Sequence, residues 1–269
     1  MQTVLITGAA GGIGGRLRRL MQGLYPELRL SDLAPPDDLA ADERFVAADL
    51  ADPAQVEAML DGVDGVVHLG GRSVEDDWAT IHEANIVGCY NLFEATRRKG
   101  VKRVVFASSN HVVGFYRRDR RIGADVTARP DSRYGVSKLF GEGLGALYAD
   151  KHGLRVLCIR IGNVDDVPVD RRRLSIWISP RDLVQLIRIG LEHPELHYEV
   201  VYGASDNDAG WWDNQAAFRL GYRPQDRAED HRDAALAAQA GLPADPVGDR
   251  FMGGGFCDLE FDGDPERVR

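Results

Sequence analysis

The sequence predicts an α/β fold, a doubly wound parallel sheet of about seven strands with helices on both faces. Three observations lead to it: short apolar, β-branched runs recur through the first two hundred or so residues, helical patterns alternate with them, and a glycine-rich turn joins the first strand to the first helix. The opening run, Thr3-Val4-Leu5-Ile6-Thr7, has the unbroken apolar character of a strand covered on both faces. It leads into Gly8-Ala9-Ala10-Gly11-Gly12-Ile13-Gly14, after which Leu17, Leu20 and Met21 fall at helical spacing. Strand, glycine turn and helix in this order are the setting in which such a glycine pattern binds a dinucleotide. Gly8 permits the tight turn, Gly11 lets backbone N–H groups approach a pyrophosphate, and Gly14 allows the helix to pack closely on the strand. Gly12 and Ile13 open the helix, whose N-terminal field favours the phosphates.

The next elements extend this Rossmann-type pattern. A second strand, Leu28-Arg29-Leu30-Ser31, ends at Asp32, where a carboxylate accepts from the adenosine ribose hydroxyls and repels a 2′-phosphate, so NAD is expected and not NADP. Arg44-Phe45-Val46-Ala47 reads as strand three, followed by Asp49-Leu50 in position to meet an adenine. Val56, Met59 and Leu60 mark a helical face, and Val66-Val67-His68-Leu69 a fourth strand. Behind Leu69, Gly70-Gly71 lets the backbone pass close to the cofactor, and Ser73 follows in a loop expected to face the cleft. A helix is expected from Ile81 to Lys99, with Asn85 as its polar exception, either bonding neighbouring backbone or catalytic.

Strand five, Val104-Val105-Phe106-Ala107, ends in Ser108-Ser109-Asn110-His111. Ligands of open α/β sheets bind beyond the carboxyl ends of the strands, so Ser109, Asn110 and His111 are candidate substrate contacts. A polar loop over 114–133 precedes a helix from Ser132 to His152, stopped by Gly153. Strand six, Arg155 to Ile161, ends at Gly162-Asn163. Arg171, Arg172 and Arg173 are read as part of a loop, before a helix capped at Ser179-Pro180. Glu199-Val200-Val201-Tyr202 is the seventh strand. Trp211-Trp212 is read as core ahead of a sugar-stacking surface. Residues 1–222 are therefore expected to form the dinucleotide-binding domain, with 163–182 and 203–222 folded onto it as substrate segments. Residues 223–269 would add an alanine-rich helix near 228–240 and a glycine-rich, acidic tail.

Composition narrows the partners. A net charge of -9 argues against nucleic acid or an anionic membrane, despite arginine clusters at 16–19, 117–121 and 171–173. Three widely spaced cysteines, Cys89, Cys158 and Cys257, give neither a disulfide framework nor a metal set, so no metal is expected. No apolar run reaches membrane-spanning length, and the chain enters a strand where a signal peptide would stand, so a cytoplasmic location is expected.

The chemistry centres on Tyr134-Gly135-Val136-Ser137-Lys138. A tyrosine and a lysine four residues apart share one helix face, and the ammonium is expected to lower the pKa of the phenol and make it a general base.

Jointly, the turn Gly8–Gly14, Asp32, Asp49-Leu50, the serine of strand five and Tyr134-x-x-x-Lys138 resemble the extended short-chain dehydrogenase/reductases, the NAD-dependent epimerase/dehydratase group, over Thr3 to about residue 222. Within it, His68–Glu75, Phe106–His111, Arg129–Lys138 and Tyr202–Asn214 resemble the uronate dehydrogenase branch. That resemblance implies oxidation of the anomeric carbon of glucuronate or galacturonate with NAD, giving an aldarolactone. It implies Tyr134 as base, Ser109 and Lys138 as its helpers, Ile161 at the cofactor, and Ser73, Ser109, Asn110, His111, Tyr134, Asn163 and Arg172 around the sugar acid. Arg172 would grip the carboxylate, and a homo-oligomer is implied as well. The branch carries a serine where this chain has Asn163, and Asp165-Asp166 is more acidic than the branch pattern, a cost to an anionic sugar unless these carboxylates turn away. The alternative is a nucleotide-sugar epimerase or dehydratase, or a neutral-sugar dehydrogenase of the same group.

Overall fold

The structure, a computed structural model, describes residues 1–41 and 43–268. In chain order the strands are β1 (Thr3–Thr7), β2 (Glu27–Asp32), β3 (Arg44–Ala47), β4 (Gly65–His68), β5 (Arg103–Ser109), β6 (Arg155–Ile161), β7 (Asn163–Val164), β8 (Trp177–Ile178) and β9 (Tyr198–Gly203). Seven of them form one parallel sheet in the order β3-β2-β1-β4-β5-β6-β9, and all seven expected strands are in it. The two-residue strands β7 and β8 make a separate pair that the sequence pattern did not announce. The chain starts mid-sheet, builds out to β3 on one side, then crosses to β4 and builds out to β9 on the other. This reversal between β1 and β4 opens a crevice at the carboxyl ends of the strands.

Both faces are covered at the centre of the sheet, which is why β1, β4 and β5 read as nearly continuous apolar runs, whereas β3 at the edge is half-exposed. Successive side chains alternate, so Val4 and Ile6 of β1 point to one face and Leu5 to the other. Helices α1 (Gly12–Met21) and α7 (Pro180–Glu192) close the first face through Leu17, Met21, Leu183, Leu186 and Ile187. Helices α2 (Pro53–Met59), α4 (Gly88–Arg98) and α5 (Arg133–His152) close the second through Val56, Leu92 and Leu144.

Helix α5 lies unusually close to β5. A Cβ on Gly141 would stand 2.2 Å from the Phe106 ring, so only glycine allows the approach. Next to it Glu142 is buried and accepts from Arg160 (Nε–Oε1 2.8 Å, Nη2–Oε2 2.9 Å) and from the Ser108 hydroxyl (2.6 Å), tying α5 to β5 and β6.

Several elements differ from the sequence expectation. The helix expected from Ile81 begins earlier, as α3 (Trp78–Ile81), where Asp77 caps it by accepting from Thr80 N–H at 3.0 Å. It continues through a π-helical turn, His82–Val87, into α4. That turn holds Asn85 inward, where its amide donates to the Arg72 carbonyl (3.0 Å) and the Ser137 hydroxyl (3.0 Å) and accepts from Arg72 N–H (2.7 Å). Of the two roles considered for Asn85, the backbone-bonding one is what these contacts show. Arg171–Ile176, expected as loop, is a short helix, α6; Asp170 caps it by accepting from Arg173 N–H at 2.8 Å, a cap signal hidden beside the arginine run. Trp212 is core, stacked on Tyr202 at 4.6 Å, and Trp211 lies under the Arg118 guanidinium.

After α8 (Gln215–Arg219) the chain forms α9 (Arg232–Gln239), preceded by a 3₁₀ turn over Ala228–His231. It then returns across the molecule, burying Phe251 and Met252 ahead of the short helix α10 (Gly255–Asp258) and Cys257 within it. No helix among the described residues is long and apolar enough to cross a membrane.

Removing one member of the Glu142–Arg160 pair strands a buried charge. Glu142→Ala is expected to lower the unfolding free energy by about 3–5 kcal/mol, read from urea denaturation midpoints at unchanged slope. An unchanged midpoint would mean that the pair does not hold α5 to the sheet.

Candidate active site

A cleft of about 800 Å³ runs along the carboxyl ends of the sheet. One half is walled by Gly8, Gly11, Gly12, Ile13, Gly14 and Asp32, with Asp49, Leu50, Leu69, Gly70 and Gly71 facing them. The other half is walled by Ser73, Ser109, Asn110, His111, Tyr134 and Lys138, with Ile161 and Asn163 at the junction. Of the cofactor- and substrate-binding candidates read from the sequence, Arg172 alone does not line the cleft.

The first half is shaped for a dinucleotide. Gly8 turns at φ +71°, and a Cβ on Gly14 would lie 2.2 Å from the Gly8 carbonyl, so the turn and helix α1 close on each other only as glycines. Gly11 caps α1 without any side-chain bond, which leaves the first-turn N–H groups free to meet an anion. At the end of β2 the Asp32 carboxylate is fixed by accepting from Ala10 N–H (3.0 Å) and Leu33 N–H (2.8 Å). A diphosphate cradle and a held carboxylate at the ribose position fit NAD. The acidic residues after Asn163 turn toward this half: Arg16 donates to Asp165 at 2.8 Å and lies 3.6 Å from Asp166. The repulsion feared for an anionic substrate is thus directed at α1.

In the second half, Ser132 caps α5 by accepting from Gly135 N–H at 3.0 Å. Tyr134, Lys138 and Gly141 then fall on one stripe of α5, the stripe pressed against β5. Both functional side chains are buried, with the Lys138 ammonium 5.6 Å from the Tyr134 ring centre and 5.2 Å from that of Phe106. Burial pushes the Tyr134 phenol up to about 12, against a smaller downward pull from its hydrogen bond with Ser109. It pulls Lys138 down to about 8. The expected lowering of the tyrosine by Lys138 is therefore not found in the protein alone, because desolvation of the phenolate outweighs a cation that does not touch it.

Ser109 ends β5 and accepts from His111 N–H at 3.2 Å. His111 is gripped on both sides: Nδ1 lies 2.7 Å from the buried Asp131 carboxylate, and its ring stacks on Phe256 at 3.9 Å. The Asn110 amide is satisfied with its nitrogen donating to the Ile161 carbonyl (3.2 Å) and its oxygen accepting from Arg172 Nη2 (3.1 Å). Asn163 Oδ1 is buried with no hydrogen-bond partner among the described residues, an acceptor available to a ligand.

Arg172 stands one layer behind Asn110. Its Nε donates to the Met252 carbonyl (3.0 Å), a Cβ on Gly254 would collide with it, and burial draws its pKa down to about 10. Its neighbours are occupied differently: Arg171 is exposed, and Arg173 is paired with Asp170. Asp131 and Phe256 were not among the expected site residues. Asp131 reads in sequence only as part of a helix start, and nothing local marks Phe256, since its place is set by the returning C-terminal segment.

The depressed lysine has a definite sign in stability. Between its folded value near 8 and its ordinary value of 10.5, the unfolded chain binds a proton that the folded chain does not, so this group makes the cofactor-free protein more stable as pH rises from 8 toward 10. Raised tyrosines and cysteines act the opposite way, so the comparison is with Lys138→Met. The wild-type protein minus this variant should gain stability between pH 8 and 9.5 in urea titrations. A flat difference would mean that Lys138 is not desolvated.

Residues 4–165 match the NAD dependent epimerase/dehydratase family. A uronate dehydrogenase of Pseudomonas putida is 46% identical over 255 residues, 94% of this chain and 95% of that one. A crystal structure of a mutant uronate dehydrogenase from Agrobacterium tumefaciens complexed with NAD aligns with a TM-score of 0.91 at 46% identity, covering 96% of this chain and 97% of that one. A glucuronic acid dehydrogenase structure from Chromohalobacter salexigens aligns with a TM-score of 0.91 at 44% identity, over 99% of each chain. With a dinucleotide cradle and a tyrosine–lysine stripe at one cleft, and with this likeness over nearly its whole length, the chain belongs to the NAD-dependent epimerase/dehydratase family.

Proposed function

We propose that this protein is an NAD-dependent uronate dehydrogenase, oxidising the C1 hydroxyl of D-glucuronate or D-galacturonate to an aldarolactone. The observation that carries the reading is the convergence of Tyr134, Ser109 and Lys138 at the end of the cleft opposite the diphosphate cradle, with Arg172 next to it behind Asn110. The full-length likeness to enzymes named for that reaction supports it.

Gly11, Gly12, Ile13 and Gly14 would hold the diphosphate, Asp32 the adenosine ribose, and Asp49 and Leu50 the adenine, while Leu69, Gly70, Gly71 and Ile161 complete the wall. When bound, NAD supplies the hydride acceptor. Tyr134 as phenolate removes the C1 hydroxyl proton, and Ser109 orients that hydroxyl and steadies the developing charge. Lys138 would hold the nicotinamide ribose. Because burial has raised the phenol to about 12, the positive charge gathered in the loaded site has to bring it down before Tyr134 can act as base near neutrality. Ser73, Asn110, His111 and Asn163 read the ring hydroxyls, and the guanidinium of Arg172 takes the carboxylate. The NAD preference follows from Asp32. The reading also includes a cytoplasmic location and a homo-oligomer, for which Val136, Phe140 and Leu147 offer an exposed apolar stripe along α5.

Purified protein with NAD should reduce it with glucuronate or galacturonate, and not with glucose, galactose or UDP-glucose, in an absorbance assay at the NADH band. Reduction with neutral hexoses alone would overturn the uronate assignment. Tyr134→Phe should lower kcat by about 10²–10⁴-fold with NAD affinity unchanged by fluorescence titration; near-normal turnover would remove the base assignment. Arg172→Ala should raise the KM for glucuronate at least ~10-fold with a smaller change in kcat, and an unchanged KM would show that no carboxylate is held there.

A further inference from the structure

The buried carboxylate of Asp131 has no place in the chemistry so far. It is fully enclosed: a Cβ on either Gly114 or Gly253 would overlap its Oδ2, so two glycines from distant segments make room for it. Oδ2 lies 2.7 Å from His111 Nδ1, and Oδ1 accepts from the Ser132 hydroxyl at 2.7 Å. Ser132 in turn accepts from Gly135 N–H, which commits its proton to Asp131. Burying a carboxylate in a site read as binding an anion is costly unless the carboxylate does something for a neighbour. The neighbour is His111. Phe256 stacks on its ring at 3.9 Å, Tyr134 meets it edge-on at 5.8 Å, and its Nε2 has no protein partner among the described residues while the side chain lines the cleft.

We propose that Asp131 is a positioning residue that fixes His111 as the Nδ1–H tautomer, so that Nε2 presents a lone pair to a sugar hydroxyl near C1. The inference deepens the dehydrogenase reading and rests on it for the identity of that hydroxyl. With Oδ1 engaged by the Ser132 hydroxyl, Oδ2 faces Nδ1 as an acceptor, so Nδ1 carries the proton and in the neutral ring Nε2 is left as the acceptor. Rotation of the ring is blocked by Phe256 on its face and by the same carboxylate at its edge. A histidine held in this way discriminates a substrate hydroxyl, which can donate, from a group that cannot.

Two measurements test this. In ¹⁵N-histidine-labelled wild-type protein, the ring signals of His111, assigned by their loss in His111→Ala, should show Nδ1 protonated and Nε2 bare at neutral pH; protonation at Nε2 would overturn the proposal. This spectrum needs neither substrate nor a variant at Asp131, so it stands even if the protein oxidises no uronate, an outcome that would sink the dehydrogenase reading alone. In Asp131→Asn, Ser132 still seeks an acceptor at Oδ1, which turns the amide NH₂ toward Nδ1 and forces the opposite tautomer. This variant should lose about 10- to 100-fold in kcat/KM for glucuronate, mostly as raised KM, with NAD affinity unchanged. In a His111→Ala background the same change should cost less than about twofold. An equal loss in both backgrounds would make Asp131 a purely structural residue and overturn the proposal.

Discussion

The site depends on how closely α5 lies against β5. Gly141 admits the Phe106 ring where any side chain would push the helix away, and Glu142 is locked between Ser108 and Arg160 at the same level. Tyr134 lies two turns earlier on the same stripe, so the contact that seats Gly141 also delivers the phenol beside Ser109 at the end of β5. Lys138, between them, has its ammonium over Phe106 and near Tyr134. A small outward shift of the helix would separate the tyrosine from the serine while leaving the dinucleotide cradle, which belongs to β1 and α1, intact.

The second theme is the management of buried charge. Carboxylates near the cleft are each assigned to a cation or a donor: Asp165 to Arg16, Asp170 to Arg173, Glu142 to Arg160, Asp131 to His111. Arg172, behind Asn110, by contrast hydrogen-bonds only to neutral groups, the Met252 carbonyl and the Asn110 amide. Its Nη1 carries no bond to another described residue, and burial has already weakened its hold on its proton. On the proposed function, a guanidinium in that condition would gain from an incoming carboxylate, because the fold has already removed much of its water.

The same desolvation decides the acid–base state of the pair on α5. It raises the phenol and lowers the ammonium, so the protein by itself holds a neutral tyrosine. On the proposed mechanism, activation would belong to the loaded site, where added positive charge would act across a low-dielectric gap and be felt more strongly than in water.

What the sequence determined alone is whatever depends on short-range pattern. Short apolar, β-branched runs marked all seven sheet strands, most clearly β1, β4 and β5 at the centre, where burial on both faces removes polar alternation. The spacing of Gly8, Gly11 and Gly14 marked the cradle, and the four-residue step from Tyr134 to Lys138 marked the shared helix face. What only the tertiary structure decided depends on contacts between distant segments. The π-turn that turns Asn85 inward, the cap that makes Arg171–Ile176 helical and the pairing of Asp165 with Arg16 leave little trace in neighbouring residues. So does the return of Met252–Phe256, which holds Arg172 behind Asn110 and lays an aromatic ring on His111. The pKa of Tyr134 is of the same kind: spacing placed a cation near it, but how much water the fold removes from the phenol sets the direction of the shift, and that is a property of packing.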